Sequence, residues 1–150
     1  MENKPVNKEQ FDKLGYLNLI QANISRMAGN SALMKGFSAT IVASVLAMSL
    51  DKTSCQHIII TIIPILIFAL VDAYYLGLER KYRNLYNLVS MGKLNTHMYS
   101  LNLEDPYFKE YYAEINKGTN IKCCFFSATI VPFYFSFIIF ILMIVLKITF

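Results

Sequence analysis

Residues 57–90 read HIIITIIPILIFALVDAYYLGLERKYRNLYNLVS, and this stretch decides the fold. Its first part, 57–78, is almost continuously apolar and has roughly the 20-residue length with which a helix crosses a ~30 Å hydrocarbon layer. After Leu78 the helical pattern continues through charged and aromatic residues, and no glycine or proline interrupts it before Gly92. The sequence therefore predicts one long helix that leaves the membrane and continues into water to about residue 90.

Two more apolar runs lie on either side of this stretch. Residues 34–50 are apolar but short and rich in Ser, Thr and Ala, whereas residues 121–148 are long enough to span. A soluble chain of 150 residues that is 55 % apolar would have to bury runs longer than an ordinary core helix, and lipid provides that burial more simply. We predict one all-α membrane domain, 1–150, with three transmembrane helices at 34–50, 57–78 and 121–148.

The segments outside these spans also have helical patterns. Apolar residues recur every three or four positions over 8–33, which predicts an amphipathic helix that runs directly into the first span. This helix and the extension of the second span would form a hairpin in the cytoplasm. Residues 104–116 begin with two acids and a proline, which favours the first turn of a short helix with an aromatic face.

Basic residues fall almost entirely on one side of the predicted spans. Of the 14 Lys and Arg residues, two lie on the other side, Lys52 and Lys147. Cytoplasmic segments carry the excess of Lys and Arg in membrane proteins. The N-terminus and the segment between the second and third spans are therefore predicted to be cytoplasmic, with residues 51–56 and the C-terminus outside.

Two opposite charges stand at equal depth in the first two predicted helices. If residues 51–56 form a tight outer turn, Lys35 lies level with Asp72, and a lone carboxylate inside a span should have a partner. The pair is either a salt bridge that sets the register of the hairpin or part of an ion-binding or proton-relay site. Arg26 lies about half a helical revolution from Lys35, so it is available to lipid, ligand or a neighbouring subunit.

Small and hydroxylated residues share one face of the first span. Thr40 and Ser44 lie on this face, which ends at Asp51. Residues of this size at helical spacing allow close helix packing. They are also candidates for the lining of a narrow pore, in which Thr40, Ser44 and Asp51 would face water. Pro64 and Pro132, within the second and third spans, are expected to produce static kinks.

Basic side chains gather beneath the second span. Residues 80–103 contain no acid and four basic residues, Arg80, Lys81, Arg83 and Lys93. Together with Arg26 they predict a surface that binds either anionic lipid headgroups or a soluble polyanion such as a nucleic acid. Lipid is the simpler of the two interpretations.

Catalytic chemistry has little support in this sequence. His57 and His97 are predicted to lie on opposite sides of the membrane, and neither has a neighbour at the spacing of a catalytic triad or a zinc site. The cysteines, Cys55, Cys123 and Cys124, are expected to be reduced thiols that serve as small apolar residues. We expect no enzyme activity, no cofactor and no metal.

Several stretches resemble small bacterial membrane proteins that are encoded in anti-phage operons. They are RMAGNS (26–31) followed by Lys35-Gly36, DAYYLGLERKYRNLY (72–86), and Ser127 with Phe133-Tyr134. The family that they resemble is the membrane effector of Hailong-type defence, which is paired with a nucleotidyltransferase. The resemblance covers both hairpin helices and the last span.

The resemblance implies an oligomeric ion channel in the bacterial inner membrane. It would be held closed by a cytoplasmic single-stranded nucleic-acid oligomer or a nucleotide, and would open on infection to depolarise the cell. We expect a homotetramer, with membrane lipids and an operon-encoded nucleotidyltransferase as further partners. Two alternatives use the same sequence features: a non-catalytic membrane scaffold that recruits a cytoplasmic partner, and a small proton-coupled transporter that uses Asp72.

Overall fold

The computed structural model describes residues 8–52, 62–94 and 99–149, and in these ranges the fold is all-α, without a strand. The α-helices are α1 (Lys8–Lys52), α2 (Ile62–Ser90), α3 (Tyr112–Ile115), α4 (Ile121–Phe125) and α5 (Val131–Thr149). A 3₁₀ helix, Pro106–Tyr111, directly precedes α3. The all-helical fold class is therefore confirmed.

The two long helices, α1 and α2, pack against each other and form most of the tertiary structure. The predicted amphipathic segment 8–33 and the predicted first span 34–50 are parts of the single helix α1. Side chains of α1 that face α2 recur every three, four or seven residues, which is the spacing of one helix face. They are Tyr16, Ile20, Ile24, Met27, Ser31, Ser38 and Val42.

Two separate apolar cores lie along this helix pair. The core at the free end of the hairpin includes Tyr16, Ile20, Ile24, Leu85, Leu88, Val89, Leu94, Phe108 and Ile115. The core at the other end includes Val42, Ile65, Ala69, Ala73, Cys124, Ile130, Tyr134 and Ile141. The connection after α2 and the 3₁₀ helix complete the first core, and α4 and α5 complete the second. Polar side chains occupy the level between them.

The predicted helix over 104–116 begins as expected and then differs in type. Asp105 caps it by accepting a hydrogen bond from the Tyr107 backbone N–H at 3.0 Å, which also holds the pKa of the Asp105 carboxyl below its ordinary value. Pro106–Tyr111 form a 3₁₀ helix, and only Tyr112–Ile115 are α-helical. A segment this short gains little from α-helix propagation, so the burial of Phe108 and Ile115 decides its geometry.

The predicted span over 121–148 is two helices rather than one. Helix α4 ends at Phe125, and α5 begins at Val131, with a turn between them. Pro132 is the second residue of α5, so it opens a helix and does not kink one as predicted. The physical reason is that proline has no N–H and clashes with the carbonyl four residues earlier, whereas both properties are tolerated in a first turn.

Gly77 allows the connection between α3 and α4 to lie directly on α2. A Cβ atom at this position would be 3.1 Å from the Thr119 carbonyl oxygen and 3.6 Å from Cys124 Sγ. The missing side chain thus brings the start of α4 against the middle of α2.

One helix of the described part of the chain, α2, is long and apolar enough to cross a membrane, with a mean hydropathy of 1.8 in its most apolar window. The apolar part of α5, Val131–Leu146, is shorter.

Tyr16 links the free end of the hairpin to the connection after α2, and we predict that its hydroxyl stabilises the fold. The side chain is buried and its Oη donates a hydrogen bond to the Ser100 carbonyl at 2.5 Å. Tyr16→Phe should lower the free energy of unfolding by about 1 kcal/mol at neutral pH, because this partly buried hydrogen bond is lost.

The same residue predicts a pH dependence at alkaline pH. Burial raises the pKa of Tyr16 from 10.0 to about 12. A raised folded-state pKa means that the proton contributes fully to stability below pH 10, and the contribution disappears as the pH rises through 12. Denaturant titrations between pH 8 and 12 should show this loss in the parent and a smaller loss in Tyr16→Phe. Parallel curves for the two proteins would contradict the assignment.

Candidate functional site

A buried charged contact joins α1 and α2 at the level between the two cores. Helix α2 directs Asp72 toward α1, where its side chain is 0 % exposed. The Lys35 ammonium lies 2.6 Å from Asp72 Oδ2, and the Ser31 hydroxyl donates to Oδ1. Lys35 also donates to Ser31 Oγ at 2.9 Å. The structure thus contains the pair that the equal-depth argument predicts, with Ser31 as an additional member.

Both oxygens of the Asp72 carboxylate have a donor, and its charge is neutralised by Lys35. The Lys35 side chain is 23 % exposed, so the ammonium reaches the edge of the contact while the carboxylate stays inside it. A carboxylate that binds ions or relays protons needs a free lone pair directed to a path for the ion. The observed geometry therefore favours a salt bridge that sets the helix register over a transport site.

Tyr134 brings α5 to the same level. Its hydroxyl is buried and is directed toward Ser38 and Asp72. No partner in the described residues is placed to form a hydrogen bond with it. The Ser38 hydroxyl donates to the Met34 carbonyl at 2.9 Å. The Asp72 carboxylate is thereby surrounded by polar groups from two other helices, α1 and α5.

Ser31, Ser38 and Tyr134 were not among the predicted site residues. Ser31 and Ser38 precede and follow Lys35 by four and three positions, so the helical period was a signal that could have identified them. Tyr134 had no such signal, because the break between α4 and α5 determines which side of α5 meets the hairpin.

The predicted pore-lining hydroxyls lie on the opposite side of α1 from α2. Thr40 and Ser44 are exposed, and their hydroxyls donate to the carbonyls four residues earlier, at 3.0 and 2.8 Å. Asp51 belongs to α1, but its side chain lies outside the part that the structure describes. The structure therefore leaves Thr40 and Ser44 on a surface that α2 does not cover.

This uncovered surface extends much further along α1 than the sequence analysis anticipated. Small residues recur at alternating spacings of three and four, and all of them are exposed: Gly15, Asn18, Ala22, Ser25, Gly29, Ala32, Gly36, Ala39 and Ala43. We call this set the small-residue stripe. Its period of 3.5 residues is the period at which one helix keeps a single face toward another. That period was the signal, present in the sequence, for this surface.

The predicted basic surface is divided in the structure. Arg80 donates to the Gly118 carbonyl at 3.0 Å and so holds the connection before α4. Arg83 pairs with Glu79 at 2.7 Å, although its side chain remains 61 % exposed. Because successive helix residues are rotated by about 100°, Arg80, Lys81 and Arg83 point in different directions around α2.

The other basic residues are also apart from one another. Lys93 lies beyond the end of α2, and Arg80 is about 15 Å before that end at the ~1.5 Å rise of an α-helix. Arg26 is exposed on α1 and donates to Asn23 Oδ1 at 2.8 Å. Lys81 borders two grooves on α2. The five residues do not form one continuous patch.

Metal-binding groups are not clustered in the described ranges. No three His, Cys, Asp or Glu side chains of residues 8–52, 62–94 and 99–149 are placed to hold a metal ion. Cys123 is exposed and Cys124 is buried, both as free thiols. The predictions for Cys55, His57 and His97 fall outside the described residues.

Comparison with protein-family models, with curated proteins and with solved structures finds no match for this chain.

Proposed function

We propose that this chain is a membrane protein that assembles with copies of itself into an ion channel, with α1 helices around the pore. The observation that carries the proposal is the exposed small-residue stripe, which continues at the level of the second core beside the exposed hydroxyls of Thr40 and Ser44. The opening of such a channel would dissipate ion gradients and depolarise the cell. Anti-phage defence, as in the family that the sequence resembles, is the proposed setting.

Membrane insertion is supported by apolar side chains that no other part of the described chain covers. On α2 they include Ile63, Leu66, Ile67 and Leu70, and on α5 they include Phe135, Phe140, Leu142, Met143 and Leu146. A contiguous exposed surface of this kind is unfavourable in water and favourable in lipid. We propose that α1, α2 and α5 each cross the bilayer, α1 with its second half.

Self-assembly is supported by the composition of the stripe. Glycine, alanine and serine allow helix backbones to approach closely, and close packing drives helix association in lipid, where the hydrophobic effect does not. Apart from neighbouring residues and the backbone of α1 itself, no atom of the described chain comes within 4 Å of a Cβ placed on Gly15, Gly29 or Gly36. The stripe is therefore open to α1 of another copy. We propose a cyclic tetramer, because cyclic symmetry closes the ring and several helices leave an axial opening.

The hydroxyls beside the stripe suit a narrow pore. Each donates its proton to a backbone carbonyl and retains lone pairs on its oxygen, which can accept hydrogen bonds from water or contact a cation. Thr40 and Ser44 are one helical turn apart, so their oxygens would form two successive rings in a symmetric assembly. Asp51, near the end of α1, completes the proposed lining.

Control by a cytoplasmic polyanion is the ligand-dependent part of the proposal. Arg26, Arg83 and Lys93 are exposed, and Lys81 borders a polar groove. A single-stranded nucleic-acid oligomer, made by a partner nucleotidyltransferase, would bind through phosphate contacts and with steep salt dependence. Neutralisation of Arg80, Lys81 and Arg83 together should weaken oligonucleotide binding to the detergent-solubilised protein. Equal binding by the parent and the triple variant would remove these residues from the ligand site.

The channel itself is tested by electrical recording. Purified protein, first sized in detergent, should be an oligomer and should produce discrete conductance steps in planar bilayers. An oligomer without conductance would contradict the channel and favour the scaffold. A monomer would contradict the assembly on which the pore depends.

Cytoplasmic placement of the N-terminus and an outer C-terminus form a separate part of the proposal, which Cys55 can test. In a variant that retains Cys55 and has Ser at positions 123 and 124, an impermeant thiol reagent should label intact cells. The matched control retains Cys123, which is exposed and should react only after lysis. The reverse pattern would invert the topology.

A further inference from the structure

Two grooves adjoin each other on the face of α2 that α1 does not cover. The larger, about 270 Å³, is bordered by Lys81, Tyr82, Asn102, Glu104 and Tyr112. The smaller, about 70 Å³, is bordered by Ala73, Tyr74, Gly77 and Ile121. Both grooves also contact Leu78 and Lys81. Lys81 therefore lies at their junction.

The chemistry of the lining changes at this junction. The smaller groove is lined mainly by apolar and aromatic side chains, and the larger one by amide, hydroxyl and charged groups. The sequence of α2 changes in the same place, from an apolar run that ends at Leu78 to charged residues from Glu79 onward. In the proposed membrane placement, this level is the boundary between hydrocarbon and cytoplasmic headgroups.

Lys81 is the basic residue that borders both grooves, and its charge has no partner in the described chain. Arg80 is engaged by the Gly118 carbonyl and Arg83 by Glu79, whereas the Lys81 ammonium makes no hydrogen bond or ion pair within residues 8–52, 62–94 and 99–149. A half-buried lysine side chain beside an apolar groove is suited to an anionic group that is attached to an apolar chain.

Donor groups around the larger groove complement an anion further. Asn102 Oδ1 accepts a hydrogen bond from the Glu104 N–H at 3.1 Å, which fixes the amide and leaves its N–H groups available as donors. Glu104 itself lies on the rim and opposes an anion. With a volume of about 270 Å³, the larger groove can hold one phosphate headgroup.

We propose that the two grooves bind one anionic phospholipid, with its phosphate at Lys81 and part of an acyl chain beside Tyr74 and Ile121. The inference rests on the proposed membrane placement but not on the channel. The bound lipid would tie the middle of α2 to the connection before the 3₁₀ helix, since both border the larger groove.

The test uses the full chain in micelles of an uncharged detergent, with phosphatidylglycerol as the probe and phosphatidylcholine as the uncharged reference. Binding is read by native mass spectrometry and by the shift in unfolding temperature. Phosphatidylglycerol should bind more tightly than phosphatidylcholine. Lys81→Gln should weaken phosphatidylglycerol binding roughly fivefold, the factor that corresponds to ~1 kcal/mol per basic residue at a membrane surface.

Two further variants test the direction of the charge effect on lipid binding and provide a control. Glu104→Gln removes the opposing charge and should strengthen phosphatidylglycerol binding. Lys109→Gln makes the same charge change as Lys81→Gln on an exposed residue outside both grooves, and it should leave binding within twofold of the parent. All three side chains are at the surface or border a groove, so the variants should fold.

Three results would overturn the proposal. Equal weakening by Lys81→Gln and Lys109→Gln would show a general charge effect. Equal affinity for phosphatidylcholine would show that the phosphate charge is not recognised. Displacement of the lipid by an equal concentration of glycerophosphoglycerol would show a soluble phosphate ligand. Failure of the channel would leave these binding measurements unchanged, since none of them requires a pore.

Discussion

Lys35→Met should destabilise the folded protein by roughly 3–5 kcal/mol, the range measured when one partner of a buried ion pair is removed. The Asp72 carboxylate is 0 % exposed and would retain only the Ser31 hydroxyl as a donor. Asp72→Asn should cost less, because the Lys35 side chain is 23 % exposed and its ammonium can turn toward water. The order of the two effects follows from this difference in exposure.

Denaturant titration of the detergent-solubilised protein measures both changes. Lys35→Met combined with Asp72→Leu should recover much of the lost stability, since no uncompensated charge remains, and exchange of the two charges should recover part of it. The control is Lys13→Met, which removes an exposed hydrogen bond from the ammonium to the Ser90 carbonyl and should cost at most about 1 kcal/mol. Equal costs for Lys35→Met and Lys13→Met would mean that the buried pair does not stabilise the hairpin.

Thr40→Phe and Ser44→Phe are the changes with the largest expected effect on activity. In the proposed assembly a ring of benzyl groups would fill the pore beside the small-residue stripe. Conductance should fall at least about tenfold, because a hydrophobic constriction excludes water. Leu66→Phe is the matched control, because it enlarges an exposed apolar residue of α2. Its conductance should equal that of the parent.

Assembly must be measured beside conductance in these variants. If a phenylalanine prevents oligomers from forming, Thr40→Val and Ser44→Ala remove the hydroxyls without added bulk and should alter conductance at unchanged oligomer size. Parental conductance in all four variants would place the pore on another helix or remove the channel from the proposal.

The helix pair and its register could be predicted from sequence because each depends on a regular repeat. The 3.6-residue period over 8–33 and the apolar run over 57–78 predict the two helices, and a fixed rise per residue then places Lys35 level with Asp72. The structure contains both helices and the contact between the charges. Both features follow from the spacing of residues along a helix.

The last helix shows where such reasoning stops. Residues 121–148 are apolar throughout, and an apolar run does not reveal where one helix ends and the next begins. Pro132 could be interpreted as a kink or as the start of a helix, and in the structure it is the second residue of α5. That difference also decides which side of α5 meets the hairpin, and hence the position of Tyr134.

The sequence by itself determined that this chain is all-α and where its two long helices, α1 and α2, lie. It also determined that Lys35 and Asp72 stand at one level, since all of these follow from periodicity and the rise of a helix. Only the tertiary structure decided that Tyr134 from α5 encloses Asp72, that Arg80 and Arg83 are engaged within the chain while Lys81 is not, and that the small-residue stripe stays uncovered. The physical reason is that these properties depend on the rotation of each helix about its own axis. Packing against the neighbouring helices decides that rotation, and the spacing of residues along one helix does not specify it.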